Sequence, residues 1–361
     1  MNEPTTGQEP PRLSELPVAA NGFDTIRLIA ACAVIVSHAF PLNALAEPLK
    51  WLTGGQASLG KLAVCAFFVI SGFLIPASLE RGTLARFAEK RARRIMPALI
   101  VAVMLCAFAL GPVATTMATG AYLSNFGTFK FLANMVFLPV GYDLPGVFEG
   151  NPVSAVNGSL WSLKFEVACY ILVPILMAFA RLRAAAVWAA TLGSFLVTHW
   201  LQGDTRGALF FVEQMASLFQ FYGVGMLFFL YKDRIRVRAG YAWLALLGVA
   251  LSIPTPFFLQ ACATLGSYAL IAAAYLSPEG FRALTARGDI SYGVYVYAFP
   301  VQQVFVPFTL GLTIGGVSVG WLANTLFAMP IAALLGAASW WLIEKPALTL
   351  GRNRQARPSV A

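Results

Sequence analysis

Residues 24–43 read DTIRLIAACAVIVSHAFPLN, an apolar run interrupted by few ionisable side chains, among them Arg27 and His38. Twenty residues of α-helix reach about 30 Å, the thickness of a bilayer's hydrocarbon core. Arg27 and His38 stand about three helical turns apart, so they share one face, with His38 roughly 16 Å farther along the axis. Ionisable groups inside a span are costly, and a pair of them on one face marks a functional site.

The rest of the chain has the same character. It has 361 residues, 58% of them hydrophobic and 11% charged, with a mean hydropathy of +0.72. A soluble domain carries about 25% charged residues. Apolar segments at 24–43, 59–79, 95–117, 160–180, 184–201, 208–230, 239–254, 257–276, 290–313 and 320–343 predict an all-α, polytopic bundle of about ten transmembrane helices. Pro254 and Pro256 shorten the seventh and blur its boundary with the eighth.

The net charge of +9 does not point to nucleic acid, because the cations alternate along the chain. With the N-terminus inside, 20 of the 25 Lys and Arg fall in cytoplasmic segments. Lys50, Lys61, Lys130, Lys164 and Arg206 remain for the outside. The positive-inside rule therefore predicts both termini in the cytoplasm of a plasma-membrane or inner-membrane protein. Residues 1–20 read as a disordered tail without a cleaved signal, 21–346 as one membrane domain, and 347–361 as a cytoplasmic C-terminal tail. The gap at about 118–159 carries an apolar patch, Phe131 to Val140, and reads as a packed, partly re-entrant lid. Five cysteines without a CxxC, and only His38 and His199, predict neither a disulfide framework nor a metal site.

Several polar residues compete for roles. Imidazole titrates near neutrality, so His38 suits removal of a hydroxyl proton, although a span histidine also serves simply by donating to a carbonyl. Arg27 reads either as a snorkelling interfacial charge or as a phosphate ligand. In Phe67-Phe68-Val69-Ile70-Ser71-Gly72-Phe73-Leu74-Ile75 the Ser-Gly pair serves close helix packing, or opens a slot for a thin ligand arm. Lys90-Arg91-Ala92-Arg93-Arg94 is a topology signal and, equally, an anion clamp. In Gly158-Ser159-Leu160-Trp161-Ser162-Leu163-Lys164-Phe165-Glu166, Glu166 lies roughly 9 Å into its span, at about the depth of His38. It reads as the orienting partner of that histidine, or as a structural partner of Lys164 or another helix. Glu213 has no motif around it and reads as structural.

Together these segments resemble the acyltransferase 3 family of membrane acyltransferases. The resemblance spans about 24–346 and rests on six elements in order. They are Arg27 with His38, FFVISGFLI at 67–75, Arg91 and Arg94 with Ile95 and Pro97, SLWSLKFE at 159–166, ISYGVY at 290–295 and IEKP at 343–346. One departure is visible: many members place a histidine soon after ISYxxYL, where this chain has Val296-Tyr297-Ala298-Phe299-Pro300. Any second-histidine role at that element is therefore absent here.

The resemblance implies an O-acyltransferase that takes an acyl group, usually acetyl, from acyl-CoA as co-substrate, with no tightly bound cofactor. The implied acceptor is a hydroxyl of a surface or exported polysaccharide, or of its lipid-linked precursor. Arg27, Arg91 and Arg94 are then expected to hold the coenzyme A phosphates, with Ser71 and Gly72 along the pantetheine path. His38 is expected to act as base or acyl carrier, with Glu166 orienting it, and Trp161 and Ser162 on the acceptor side. A flippase for a lipid-linked sugar competes, as does an acyltransferase acting on a lipid, peptide or antibiotic.

Overall fold

The computed structural model describes residues 10–16, 22–138, 141–201 and 207–355. Of the N-terminal tail, 1–9 and 17–20 lie outside the described residues, as do Val140, Arg206 and 356–361. Residues 10–16 are docked: Leu13 is buried and its amide donates to the Ile235 carbonyl at 2.8 Å.

Apolar, weakly punctuated segments become helices whose ends are set by local caps. Helix α1 spans Phe23–Leu42 and α2 spans Leu59–Glu80, the latter capped by Ser58, which accepts from the Lys61 amide. Helix α3 runs Leu84–Ala114 through one π-helical turn at Cys106–Leu110. Its start lies well before residue 95, because Thr83 caps the chain there by accepting from the Arg86 amide. The basic run 90–94 therefore lies within the helix rather than in a loop ahead of it. A 3-10 turn, Gly158–Ser162, leads into α4, Leu163–Met177. Helices α5 (Arg183–Leu201), α6 (Ala208–Leu230), α7 (Ala239–Ser252), α8 (Phe258–Leu276) and α9 (Ser291–Thr309) follow. Helix α10 is continuous over Gly320–Leu350 through a π-helical turn at Trp340–Glu344, so IEKP lies inside a helix rather than at its end.

Among the described residues, seven helical segments are long and apolar enough to cross a membrane: α1, α2, α3, α4 with the 3-10 turn before it (Gly158–Met177), α5 with its preceding turn (Ala180–Leu201), α8 and α10. The chain is a multi-pass membrane protein. Helices α6 and α9 are as long, but buried Glu213 and Gln220 in one and buried Gln302 and Gln303 in the other dilute their apolarity. Helix α7 is short as well as apolar. The bundle is not purely helical. After α9 the strands Thr313–Ile314 and Val317–Ser318 pair antiparallel across Gly315-Gly316, whose positive φ values suit a tight hairpin.

Close packing and buried polar contacts hold the helices together. A Cβ on Gly72 would sit 2.0 Å from the Tyr222 carbonyl oxygen, and one on Gly225 would sit 2.4 Å from that of Val69. Small residues on both sides thus let α2 and α6 cross backbone to backbone. Gln302 Nε2 donates to the Ile35 carbonyl and to Asn324 Oδ1, joining α1, α9 and α10. The 118–159 segment is packed: buried Tyr122 donates to the Ala107 carbonyl at 2.7 Å, and Gln303 donates to the carbonyls of Val153 and Ala155.

Candidate active site

Three arginines from two helices meet where α1, α3, the start of α9 and the π-helical turn of α10 converge. Arg91 and Arg94, three residues apart on α3, present to neighbouring directions of one face. Arg27 of α1 pairs with Asp24 at 2.7 Å and with Asp289 at 3.7 Å. Arg94 donates to Asp289 and, at 3.1 Å, to Glu344. Glu344 also accepts from Ser339 at 3.0 Å. Asp289 accepts in addition from the amide and hydroxyl of Ser291, so it caps α9 while binding two cations. Burial alone would raise the Asp289 carboxyl, but Arg94 and Arg27 beside it and the Ser291 bonds hold it below its ordinary 3.8.

Arg91 differs from its neighbours. It forms no ion pair among the described residues, its buried Nε has no hydrogen-bond partner, and its guanidinium lies over the Tyr170 ring, 5.8 Å from the centroid. Glu166 of the inner cavity acts on Arg91 only from beyond ion-pair distance, so of the three arginines Arg91 is the one best placed to receive an anion from a ligand.

These arginines separate two spaces. On one side lies a vestibule of about 700 Å³ whose walls include Lys90, Arg93, Lys345 and Thr349. On the other lies an inner cavity of about 80 Å³, bounded by Phe67, Ser71, Ser162, Glu166, Tyr170, Tyr292 and Tyr295. Arg27, Arg91 and Arg94 line both and form the neck between them. Glu166 accepts from Tyr170 within that inner cavity. At its far end Ser162 and Tyr295 share a 2.7 Å hydroxyl contact, and Tyr295 donates to the Ser159 carbonyl at 2.8 Å.

The residues singled out in the sequence fall into two groups. Arg27, Ser71, Arg91, Arg94, Ser162 and Glu166 surround one space. Gly72, His38 and Trp161 are elsewhere. The Gly72 backbone is pressed against Tyr222, so helix packing and not a ligand slot accounts for its missing side chain. Trp161 packs edge-on against Phe165. His38 does not meet Glu166: its ring stands edge-on to Phe299 at 5.0 Å, and its buried Nδ1 has no partner. Gly158 also abuts Phe299, which places His38 near the start of the 3-10 turn, whereas Glu166 lies eight residues farther along, on the order of 12 Å. Phe299 is one turn beyond Tyr295 on α9, so His38 lies about one turn past the closed end of the inner cavity. Lys164 is not the partner of Glu166 either, since its ammonium lies over the rings of Phe165 and Phe211. The sequence reading missed Asp289 and Tyr170 as site residues, and gave no role to Glu344, Tyr292 and Tyr295. The ISYGVY and IEKP elements were the signal available for three of them.

A family model described as an acyltransferase domain matches residues 20–344. An O-acetyl transferase of Shigella phage Sf6 is 31% identical over 346 residues, covering 91% of this chain and 96% of the phage protein. Nodulation protein 10 of Rhizobium leguminosarum bv. viciae is 30% identical over 365 residues, covering 93% of this chain and 95% of its own length. O-acetyltransferase OatA of Staphylococcus aureus is 28% identical over 209 residues, 52% of this chain and 31% of the longer protein. No solved structure matches this chain.

Proposed function

Since this chain belongs to the acyltransferase 3 family of membrane O-acetyltransferases, we propose that it moves an acetyl group from acetyl-CoA to a hydroxyl of a surface or exported polysaccharide or its lipid-linked precursor. The observation that carries this reading is the arginine neck joining a wide basic vestibule to a narrow hydroxyl-lined cavity. In this reading ten helices cross the inner membrane, both termini are cytoplasmic, and the vestibule opens to the cytoplasm. Coenzyme A phosphates occupy the vestibule against Arg91 and the neighbouring Lys90 and Lys345, and the pantetheine arm passes between Arg27 and Arg94 toward Ser71.

The inner cavity holds the volume of only a few waters, each about 30 Å³. Entry of the arm therefore requires the neck to part, with Arg27 and Arg94 moving aside while Asp289 keeps their charge matched. Beyond the cavity, His38 Nδ1 makes no hydrogen bond within the protein, so its lone pair is available to an incoming hydroxyl proton. The acceptor oxygen attacks the thioester carbonyl carbon, its proton passes to His38, the carbon–sulfur bond breaks and the coenzyme A thiolate leaves. Glu166 with Tyr170 sets the field around the arm rather than orienting the imidazole.

The test is donor binding to the purified protein followed by turnover in sealed vesicles loaded with labelled acetyl-CoA. Arg91→Ala should weaken acetyl-CoA binding about tenfold or more, the value of one charge-assisted contact. Unchanged binding would remove the clamp. Label should reach the sugar without net sugar movement. Sugar crossing the membrane unlabelled would instead identify a flippase.

A further inference from the structure

A second space reaches the neck from the side. Helices α3 and α4 enclose a groove of about 730 Å³. Its walls include Leu84, Ala88, Ala92 and Met96 on α3 and Ile171 and Ile175 on α4. From Leu84 to Met96 it follows α3 for about 18 Å, close to half the hydrocarbon thickness. The width comes from small residues: Ala88 and Ala92, one turn apart, are both exposed and leave room between the helices. Arg91, Ile95 and Tyr170 belong both to this groove and to the inner cavity, and Arg91 lines the vestibule as well. Among the described residues the groove's cation is thus the arginine that makes no ion pair and whose Nε is buried without a hydrogen bond.

An apolar channel open along a membrane protein's flank, with a guanidinium free of any close ion pair in its wall, fits an amphiphile with an apolar chain and an anionic head. We infer that the groove binds one anionic phospholipid from the leaflet on the vestibule side. Its acyl chain lies between Ala88–Ala92 and Ile171–Ile175, and its phosphate meets Arg91. The site does not depend on the catalytic reading, although Arg91 takes part in both, so bound lipid and donor phosphates meet at the same side chain.

Native mass spectrometry of the full-length protein, purified with equal phosphatidylglycerol and phosphatidylcholine, tests it. The wild type should retain a single phospholipid, with about a fivefold preference for phosphatidylglycerol, what one basic residue near a membrane surface is worth. Ala92→Trp should fill the chain position and abolish retention of both lipids while the protein stays monodisperse and binds acetyl-CoA no more weakly than the wild type. Ile171→Trp reads the same position from the opposite helix if Ala92→Trp does not fold. Arg91→Gln should retain a lipid but lose the preference. Retention of neither lipid by the wild type, equal retention of the two, or wild-type retention in both tryptophan variants would overturn the proposal.

Discussion

The two arginines of the α3 motif occupy neighbouring positions yet have different electrostatic surroundings, so substituting them should separate stability from ligand binding. Arg94 serves two carboxylates, Asp289 and Glu344, whose side chains are 10% and 1% exposed, while its own is 22% exposed. Removing one partner of a buried ion pair typically costs about 3–5 kcal/mol, because the other charge stays buried without compensation. The partial exposure of Arg94 and the remaining contact of Asp289 with Arg27 place Arg94→Ala near the lower end, at about 3 kcal/mol. Arg91→Ala breaks no close ion pair, and Glu166 keeps Arg94 and Arg27 as neighbouring cations, so it should cost less, about 1 kcal/mol. Thermal unfolding of detergent-purified variants, followed by tryptophan fluorescence, measures both. Adding Asp289→Asn and Glu344→Gln to Arg94→Ala should recover most of the loss, since no charge is then stranded. Equal melting of the two single arginine variants, or no recovery in the triple variant, would refute the division of roles.

Other consequences are simpler to state. Gly72→Ala should destabilise the protein by about 1–3 kcal/mol through the clash with the Tyr222 carbonyl, and the folded fraction should bind acetyl-CoA normally; a selective donor defect would restore the ligand-slot reading. Glu166→Gln and His38→Ala should add in stability to within about 0.5 kcal/mol, because the two side chains do not touch; a larger coupling in a double-mutant cycle would show that they do. The Asp289 carboxyl is held below 3.8, so its stabilising contribution is complete above that pH and disappears as the pH falls through the lowered value. The stability gap between wild type and Asp289→Asn should accordingly be constant from neutral pH down to about 4 and close only in stronger acid; a gap that closes near neutrality would contradict the pairing. Tyr295→Phe, which breaks the 2.7 Å contact with Ser162, should cost about 0.5–1.5 kcal/mol in thermal unfolding.

The membrane class and most helix positions were legible because apolar run length is a local property. The boundaries failed where local chemistry was subtler. Thr83 starts α3 before its apolar stretch begins, and α10 continues past Glu344 through a π-helical turn. Helices α6 and α9 show that polar residues turned inward make a buried helix look less apolar than a lipid-facing one. In the site, Arg91, Arg94 and Glu166 could be read from short motifs, but the partners of Arg94 lie 195 and 250 residues away along the chain. No spacing rule connects residues so far apart, so the network that matches Arg27 and Arg94 while leaving Arg91 out of its ion pairs becomes visible only in three dimensions. Depth was misjudged for a similar reason: counting from opposite span ends placed His38 and Glu166 together, whereas Phe299 and the 3-10 turn separate them.

The proposed reaction is acetyl transfer through His38 to a sugar hydroxyl. Its most direct test is mass spectrometry of surface polysaccharide from otherwise identical cells carrying no copy of the protein, the wild type, or His38→Ala at equal membrane abundance. The mass of an acetyl group per modified unit should appear with the wild type alone. Polysaccharide of the same mass in all three strains, or full acetylation with His38→Ala, would contradict it.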